Sequence, residues 1–381
     1  MKILFLVSSL NAGGAERVAC TLASAWAERG DEVTLLATYP GKGQCFYPLA
    51  AGVDLQWMAD RIGATRNPLM VTLRKLRALR EQVRRQRPDV VISFLTNVNV
   101  MALIATRGLG APIIVCERSN PAFSTSSGGV LKALRRWTYP WAQVVTVQTE
   151  ASVEPFRRMV PGIRALRVVP NPLPPALMDA ARPAGARAAG GRRSLMAMGR
   201  LVPAKQFSLL IRAFARLAPG HAEWDLTIWG DGPQREALVR QAAEAGLTDR
   251  ISLPGRSDAP WEELGRADAF ALTSAVEGFP NVLLEAMALG LPCIVFDCPS
   301  GPAEMTRGGE DALLIPAGDE QALVEGLERL LADEMLRARL GAQAAQSVRR
   351  RYALPAVLAQ WDDLMALARA ARPAAPGQGD S

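Results

Sequence analysis

A chain of 381 residues, 49% of them hydrophobic, exceeds what one hydrophobic core organises, so two domains with sizeable cores are the default. Its net charge of +7 calls for a polyanionic surface or substrate as partner, or for nothing beyond good solubility. Five scattered cysteines without metal spacing and a lone histidine, His221, speak against structural zinc and for a reducing cytoplasm.

The N-terminal MKILFLV has one lysine and a short apolar run, and reads as a buried first strand, Lys2 to Val7, and not as a cleavable signal. Further strands are expected at Glu32 to Ala37, Val90 to Phe94, Pro112 to Cys116, Val144 to Gln148 and Leu166 to Val169. Helices such as Ala15 to Arg29 and Leu73 to Arg87 run between them. The apolar stretch Val90 to Ala105 is broken by Ser93, Thr96, Asn97 and Asn99, so no membrane span is expected. Basic residues concentrate in RKLRALREQVRRQR (74–87), in KALRRWTYPW (132–141) and at Arg157 and Arg158. The second cluster interleaves Trp137, Tyr139 and Trp141, a mixture that suits an anionic headgroup layer; a solvated helix face is the alternative.

Residues 171–193, rich in Pro, Ala, Gly and Arg, mark a linker or surface loop. The rhythm then restarts, with strands at Ser194 to Met198, Leu226 to Trp229, Ile251 to Leu253, Ala269 to Leu272 and Cys293 to Phe296. Short strands alternating with helices predict an α/β protein of two doubly wound, parallel-sheet, Rossmann-like domains: 1–170 and 194–354. A last helix, 355–372, packs back toward the first domain, and 373–381 is a disordered tail.

Ligands of such sheets bind beyond the carboxyl ends of the strands, and several of those loops are unusual. After the first strand, SSLNAGGAERV places Gly13 and Gly14 where backbone can approach a ligand. After the first strand of the second half, GRLVPAK offers Gly199, Arg200 and Lys205, and two cations there suit a diphosphate. WGDGP, with Gly230 and Gly232, is a further strand-to-loop turn. The most informative stretch is EGFPNVLLEAMALGLP (277–292). Gly278 and Pro280 keep its first half out of a helix, Asn281 can cap, and Val282 to Leu289 is helix-forming until Gly290 and Pro292 stop it. Glu277 is thereby expected on the approach loop and Glu285 in the first helical turn, two carboxylates suited to sugar hydroxyls.

Two Rossmann-like halves, GGAER, GRLVPAK, WGDGP, EGFPNVLLEA and the last helix together resemble the retaining family 4 glycosyltransferases of the GT-B fold, over almost the whole chain. The resemblance implies domains facing a cleft, with closure excluding water. It implies a donor set in which Glu277 and the segment Gly278, Phe279, Pro280, Asn281 hold the sugar, Glu285 the ribose, and Arg200 and Lys205 the diphosphate. Gly14, Gly199, Gly230 and Arg256 complete that set, and Glu277, Lys205 and Arg200 carry the chemistry. Within the family, ISFLTNVN (92–99) and CERSNP (116–121) resemble enzymes that extend undecaprenyl-diphosphate-linked oligosaccharides, which makes Gly13, Asn97, Glu117, Arg118 and Asn120 the acceptor set.

The implied reaction moves a hexose or N-acetylhexosamine from a nucleotide-diphosphate sugar, UDP-linked, to a glycan or lipid-linked glycan. No cofactor or metal is expected, since no DxD-type motif sits in a strand-end loop. The protein is expected as a cytoplasmic monomer, peripheral at the inner membrane face through the basic first domain. Two departures from the family stand out: Arg118 lies where many members carry histidine, and Gln206 follows the donor lysine where glycine is common. His221 is expected in a surface loop with a structural role. Two other readings remain open at this stage. A nucleotide-sugar 2-epimerase would share the architecture but needs acid/base residues, of which histidine is scarce. A basic nucleic-acid binder would need a recognition module, and none is visible.

Overall fold

The computed structural model describes residues 1–11, 13–39, 43–63, 67–118, 128–179 and 191–371. The expected tail 373–381, Asn120 of the acceptor set and residues 180–190 of the expected linker lie outside the described residues. The chain forms two compact units, Met1–Asn171 together with Pro355 onward, and Pro172–Leu354.

The first unit is built on a parallel sheet of seven strands: β1 Lys2–Val7, β2 Glu32–Ala37, β3 Val53–Trp57, β4 Val90–Phe94, β5 Ile113–Cys116, β6 Val144–Val147 and β7 Leu166–Val168, in the order β3-β2-β1-β4-β5-β6-β7. The central strands read as continuous apolar runs because helices cover both faces, and β4, β5 and β6 are buried throughout. The edge strand β3, VDLQW, is not among the expected strands; it is only partly covered, and its alternation of apolar and polar residues is that of a half-buried strand and not of a continuous apolar run. The helix expected at Leu73 to Arg87 begins earlier, at Pro68. Proline suits its first turn, and the Asn67 side chain accepts from the Leu69 and Met70 N–H groups.

The last helix, Leu354–Ala370, belongs to this unit. Its Trp361 is fully buried and meets Trp26 edge-on at 5.6 Å between ring centroids, while Arg29 forks onto Asp362 at 2.9 and 2.7 Å. An aromatic chain Phe94, Phe5, Trp26, Trp361 thus fastens the end of the sequence to its first strand.

The second unit carries six parallel strands: β8 Arg193–Met198, β9 Trp224–Trp229, β10 Ile251–Gly255, β11 Ala269–Leu272, β12 Cys293–Asp297 and β13 Leu313–Pro316, in the order β10-β9-β8-β11-β12-β13. One core, with Phe214, Trp224, Leu327 and Leu330, lies on one face; another, with Phe270, Leu283, Met287 and Leu291, lies on the other. The expected linker does not begin as one: Leu173 and Leu177 are buried in the second of these cores, because two leucines in a proline-rich run still find an apolar surface to cover. Among the described residues no helix is long and apolar enough to cross a membrane.

Candidate functional site

In the second unit every strand points the same way, so the loops after the strands share one edge. The sheet order reverses between β8 and β11, and the loops leaving these neighbours diverge to opposite faces, opening a crevice at the switch point. Two expected residues meet there. The Lys205 ammonium, on the loop after β8, pairs with Glu277 Oε1 at 2.5 Å, on the loop after β11. Ser274 Oγ donates to the same carboxylate oxygen at 2.6 Å. The loops are tied by their backbones as well: Ala275 N–H donates to the Ala204 carbonyl at 2.8 Å and Thr273 Oγ1 to the Lys205 carbonyl at 2.9 Å. Lys205 and Glu277 are mostly covered, with 22% and 11% of their side chains exposed, so the pair is less screened than a surface ion pair.

Gln206 adopts φ 51°, ψ 33°, the left-handed region that glycine favours. The bend after the lysine is therefore present without glycine, at a conformational cost. The carbonyl of Gln206 then opens the helix Phe207–Leu217 by accepting from Leu209 N–H at 3.0 Å.

The other expected donor residues occupy the same edge with different uses. Gly199 and Gly230 both have their N–H groups engaged, to the Trp229 carbonyl at 2.9 Å and the Gly255 carbonyl at 2.7 Å. A Cβ at Gly230, whose φ is 137°, would overlap the Gly199 carbonyl oxygen. The close approach that glycine permits here is of one loop's backbone to the next. Arg200 and Arg256 are exposed, on the loops after β8 and β10, and no ion pair involves either among the described residues. Phe279 and Pro280 are buried; the Phe279 ring meets Tyr352 edge-on at 5.7 Å, so these side chains belong to the core beneath the loop.

Two expectations about the helix are corrected. It spans Asn281–Ala288, and Pro280, not Asn281, is the cap, its carbonyl accepting from Leu283 and Leu284 N–H at 3.0 and 3.1 Å. Glu285 consequently lies in the second turn, 3% exposed, with Trp261 Nε1 donating to its Oε2 at 3.0 Å. Trp261 and Ser274 were not anticipated. Ser274 could have been found from its place in the same strand-end loop as Glu277, whereas nothing local ties Trp261 to a residue 24 positions away.

In the first unit the order reverses between β1 and β4. The loop after β1 leads to Gly13, whose N–H donates to the Tyr47 hydroxyl at 3.1 Å, and to the helix Gly14–Glu28. Glu16 folds its carboxylate back over Gly13 and accepts from Ser9 Oγ at 3.2 Å, so an internal anion faces the start of this helix. Asn97 is exposed in the first turn of the helix Thr96–Thr106, which follows β4.

Glu117, expected to contact an acceptor, is 2% exposed. It accepts from the Tyr139 hydroxyl and, on both oxygens, from Thr96 Oγ1 at 3.0 and 2.9 Å, and the Arg135 guanidinium lies 3.9 Å away. Burial pushes the Glu117 carboxyl above its ordinary value, opposed by Tyr139, Arg135 and Thr96. Its partners hold it as a scaffold residue beneath the edge. Tyr139 is likewise fully buried, which removes it from the aromatic set expected at a headgroup layer; Trp137 stays 62% exposed, edge-on to Trp141. Arg118 lies just beyond β5, stacked 4.2 Å over the Phe94 ring, and donates to Asn171 Oδ1. His221 is not in an exposed loop: it is 7% exposed, next to Glu328 at 2.9 Å, and precedes β9 at the edge opposite the candidate site. Among the described residues no group of three His, Cys, Asp or Glu could hold a metal ion.

Two family models match: "Glycosyl transferase 4-like domain" over residues 13–172 and "Glycosyl transferases group 1" over 183–347. The chain belongs to this glycosyltransferase family. A Campylobacter jejuni α-1,4-N-acetyl-D-galactosaminyltransferase, named for a diNAcBac-PP-undecaprenol-linked substrate, is 28% identical over 91% of this chain and 93% of its own length. An exopolysaccharide phosphotransferase of Streptomyces coelicolor is 30% identical over 96% of this chain, which spans only 40% of that relative. Among solved structures, sucrose-phosphate synthase of Thermosynechococcus elongatus superposes with a TM-score of 0.81 at 19% identity, covering 97% of this chain and all of that one. Anabaena HepE in complex with UDP gives 0.76 at 19% identity, covering 96% of this chain and 100% of that one. These likenesses establish the GT-B fold for this glycosyltransferase.

Proposed function

We propose that this glycosyltransferase moves a hexose or N-acetylhexosamine, with retention, from a UDP-type nucleotide sugar to a polyprenyl-diphosphate-linked oligosaccharide during cell-surface glycan assembly. The observation that carries the donor half is the meeting of Lys205, Ser274 and Glu277 at the switch point of the second sheet. A nucleoside diphosphate arriving there would take up Lys205 and the exposed Arg200, cations able to stabilise the charge that builds as the diphosphate departs. Glu277, held by Ser274, would accept from a sugar hydroxyl, and Glu285, steadied by Trp261, from the ribose. The acceptor hydroxyl would attack from the leaving-group side and pass its proton to a donor phosphate oxygen, a route requiring neither enzymic nucleophile nor metal.

The acceptor half rests on the likeness to the Campylobacter transferase and on the basic first unit, which suits an anionic membrane surface. In this reading the protein works as a cytoplasmic monomer peripheral to the membrane. A thermal-shift screen of the full chain against nucleotide sugars tests the donor half, since a ligand bound only by the native state raises its melting temperature. A rise with one nucleotide family, followed by transfer to an undecaprenyl-diphosphate glycan, is expected; a flat response to every nucleotide sugar overturns the reading.

A further inference from the structure

Arg118 is a cation in a nest made of neutral groups. Four successive strand ends build the nest: Phe94 closes β4, Arg118 follows β5, Gln148 follows β6 and Asn171 lies beyond β7. The guanidinium stacks on Phe94 at 4.2 Å, one Nη2 N–H goes to Asn171 Oδ1, and Gln148 Nε2 holds the same oxygen from the other side at 2.8 Å. Nε is buried without a partner among the described residues. No ion pair involves Arg118 among the described residues, and the following segment SNPAFSTSS (119–127) contains no acidic residue that could supply one. Its neighbour Glu117 is spent on Tyr139, Thr96 and Arg135. Burial pushes the Arg118 guanidinium down to about 10, so it remains charged at neutral pH in surroundings that disfavour the charge.

A planar fork, stacked, oriented by an amide and with no counter-anion among the described residues, is the arrangement that receives a phosphate. We propose that Arg118 binds a phosphate or diphosphate group of the acceptor. The inference rests on the reading above, in which the acceptor is a polyprenyl-diphosphate-linked glycan met by the first unit, and it deepens that reading by naming the side chain that takes the phosphate. The same chemistry could come from the donor's diphosphate, so the test must separate the two.

The full chain is first saturated with UDP to fill the donor site, and inorganic pyrophosphate is then titrated while thermal stability is followed, in the wild type and in Arg118→Gln. The wild type should gain a second stabilisation from pyrophosphate. Arg118→Gln, which keeps a hydrogen-bonding side chain, should respond to UDP as before while its apparent Kd for pyrophosphate rises at least about tenfold, as loss of one charge-assisted hydrogen bond implies. An equal pyrophosphate response in both proteins, or none in either, overturns the proposal. Loss of the UDP response in Arg118→Gln assigns the guanidinium to the donor and overturns it as well. A wild type that ignores UDP fails the donor reading instead, which is a separate result. If Arg118→Gln does not fold, Arg118→Lys keeps the charge without the fork and should show a weakened pyrophosphate response; an undiminished one refutes the role of the fork.

Discussion

Replacing Gly230 by alanine should damage the second unit more than a glycine substitution ordinarily does, and it should do so through the donor loop. Three costs combine. At φ 137° an L side chain is strained by about 1–3 kcal/mol. The new Cβ would lie 2.9 Å from the Gly199 carbonyl carbon and closer still to its oxygen, which is backbone and cannot swing aside. Moving that backbone loosens the hydrogen bonds Gly199 N–H to Trp229 O and Leu201 N–H to Asp231 O, both 2.9 Å, at about 1 kcal/mol each. A loss of at least about 3 kcal/mol follows, and for a unit of this size that is roughly 6–12 °C in melting temperature. Gly246→Ala is the control: φ is also positive, 69°, but nothing lies within 4 Å of the added carbon, so only the strain remains. Calorimetry of both variants, with and without UDP, reads the difference. Because the displaced backbone carries Arg200 and leads into Lys205, Gly230→Ala should also lose UDP stabilisation that Gly246→Ala keeps. If the two variants melt within about 1 °C of each other and bind UDP equally, the packing argument is refuted.

Other expectations follow from the same geometry. Lys205→Ala and Glu277→Ala should each lower transfer at least about a hundredfold, the scale for losing one preorganised transition-state contact, with the fold retained by circular dichroism; undiminished turnover in either removes it from the site. At Gln206, with φ 51°, Gln206→Gly should be more stable than Gln206→Val by about 1–2 kcal/mol in denaturant unfolding, since a β-branched residue tolerates the left-handed region least; the reverse order would mean the loop relaxes freely. The Glu117 carboxyl is raised above its ordinary 4.5, so its contribution to stability is fully present below 4.5 and lost as pH rises through the folded value. The stability of wild type relative to Glu117→Gln should therefore fall across that window, by up to about 1.4 kcal/mol per pH unit, and a difference flat from pH 4.5 to 8 contradicts the burial argument. Chelation by EDTA should leave transfer unchanged, and a loss restored by added Mg²⁺ would reassign the diphosphate chemistry to a metal.

What could be read from the amino acids depended on the range over which each residue finds its partners. Lys205 and Glu277 were legible because each sits a few positions beyond a strand of continuous apolar residues, and a parallel sheet sends both loops to one edge whatever else the chain does. The Gly230 turn was legible only as a place where backbone comes close to something; that Gly199 lies there depends on the adjacency of β8 and β9. Glu285 and Glu117 were misplaced for a related reason. An acidic residue in a strand-end loop or a helix opening reads as solvent-facing, but each is buried by a donor far along the chain, Trp261 in one case and Tyr139 in the other. The edge strand β3 escaped because VDLQW carries no uninterrupted apolar run, whereas β13, LLIP, is apolar but only four residues long and closed by a proline. Arg118 illustrates the converse. Its sequence neighbourhood already lacked any acid after Glu117, yet an arginine without an acidic neighbour is ordinary on a surface. It becomes informative only once Phe94, Gln148 and Asn171, from three other strand ends, close around it and leave the charge without a counter-ion among the described residues.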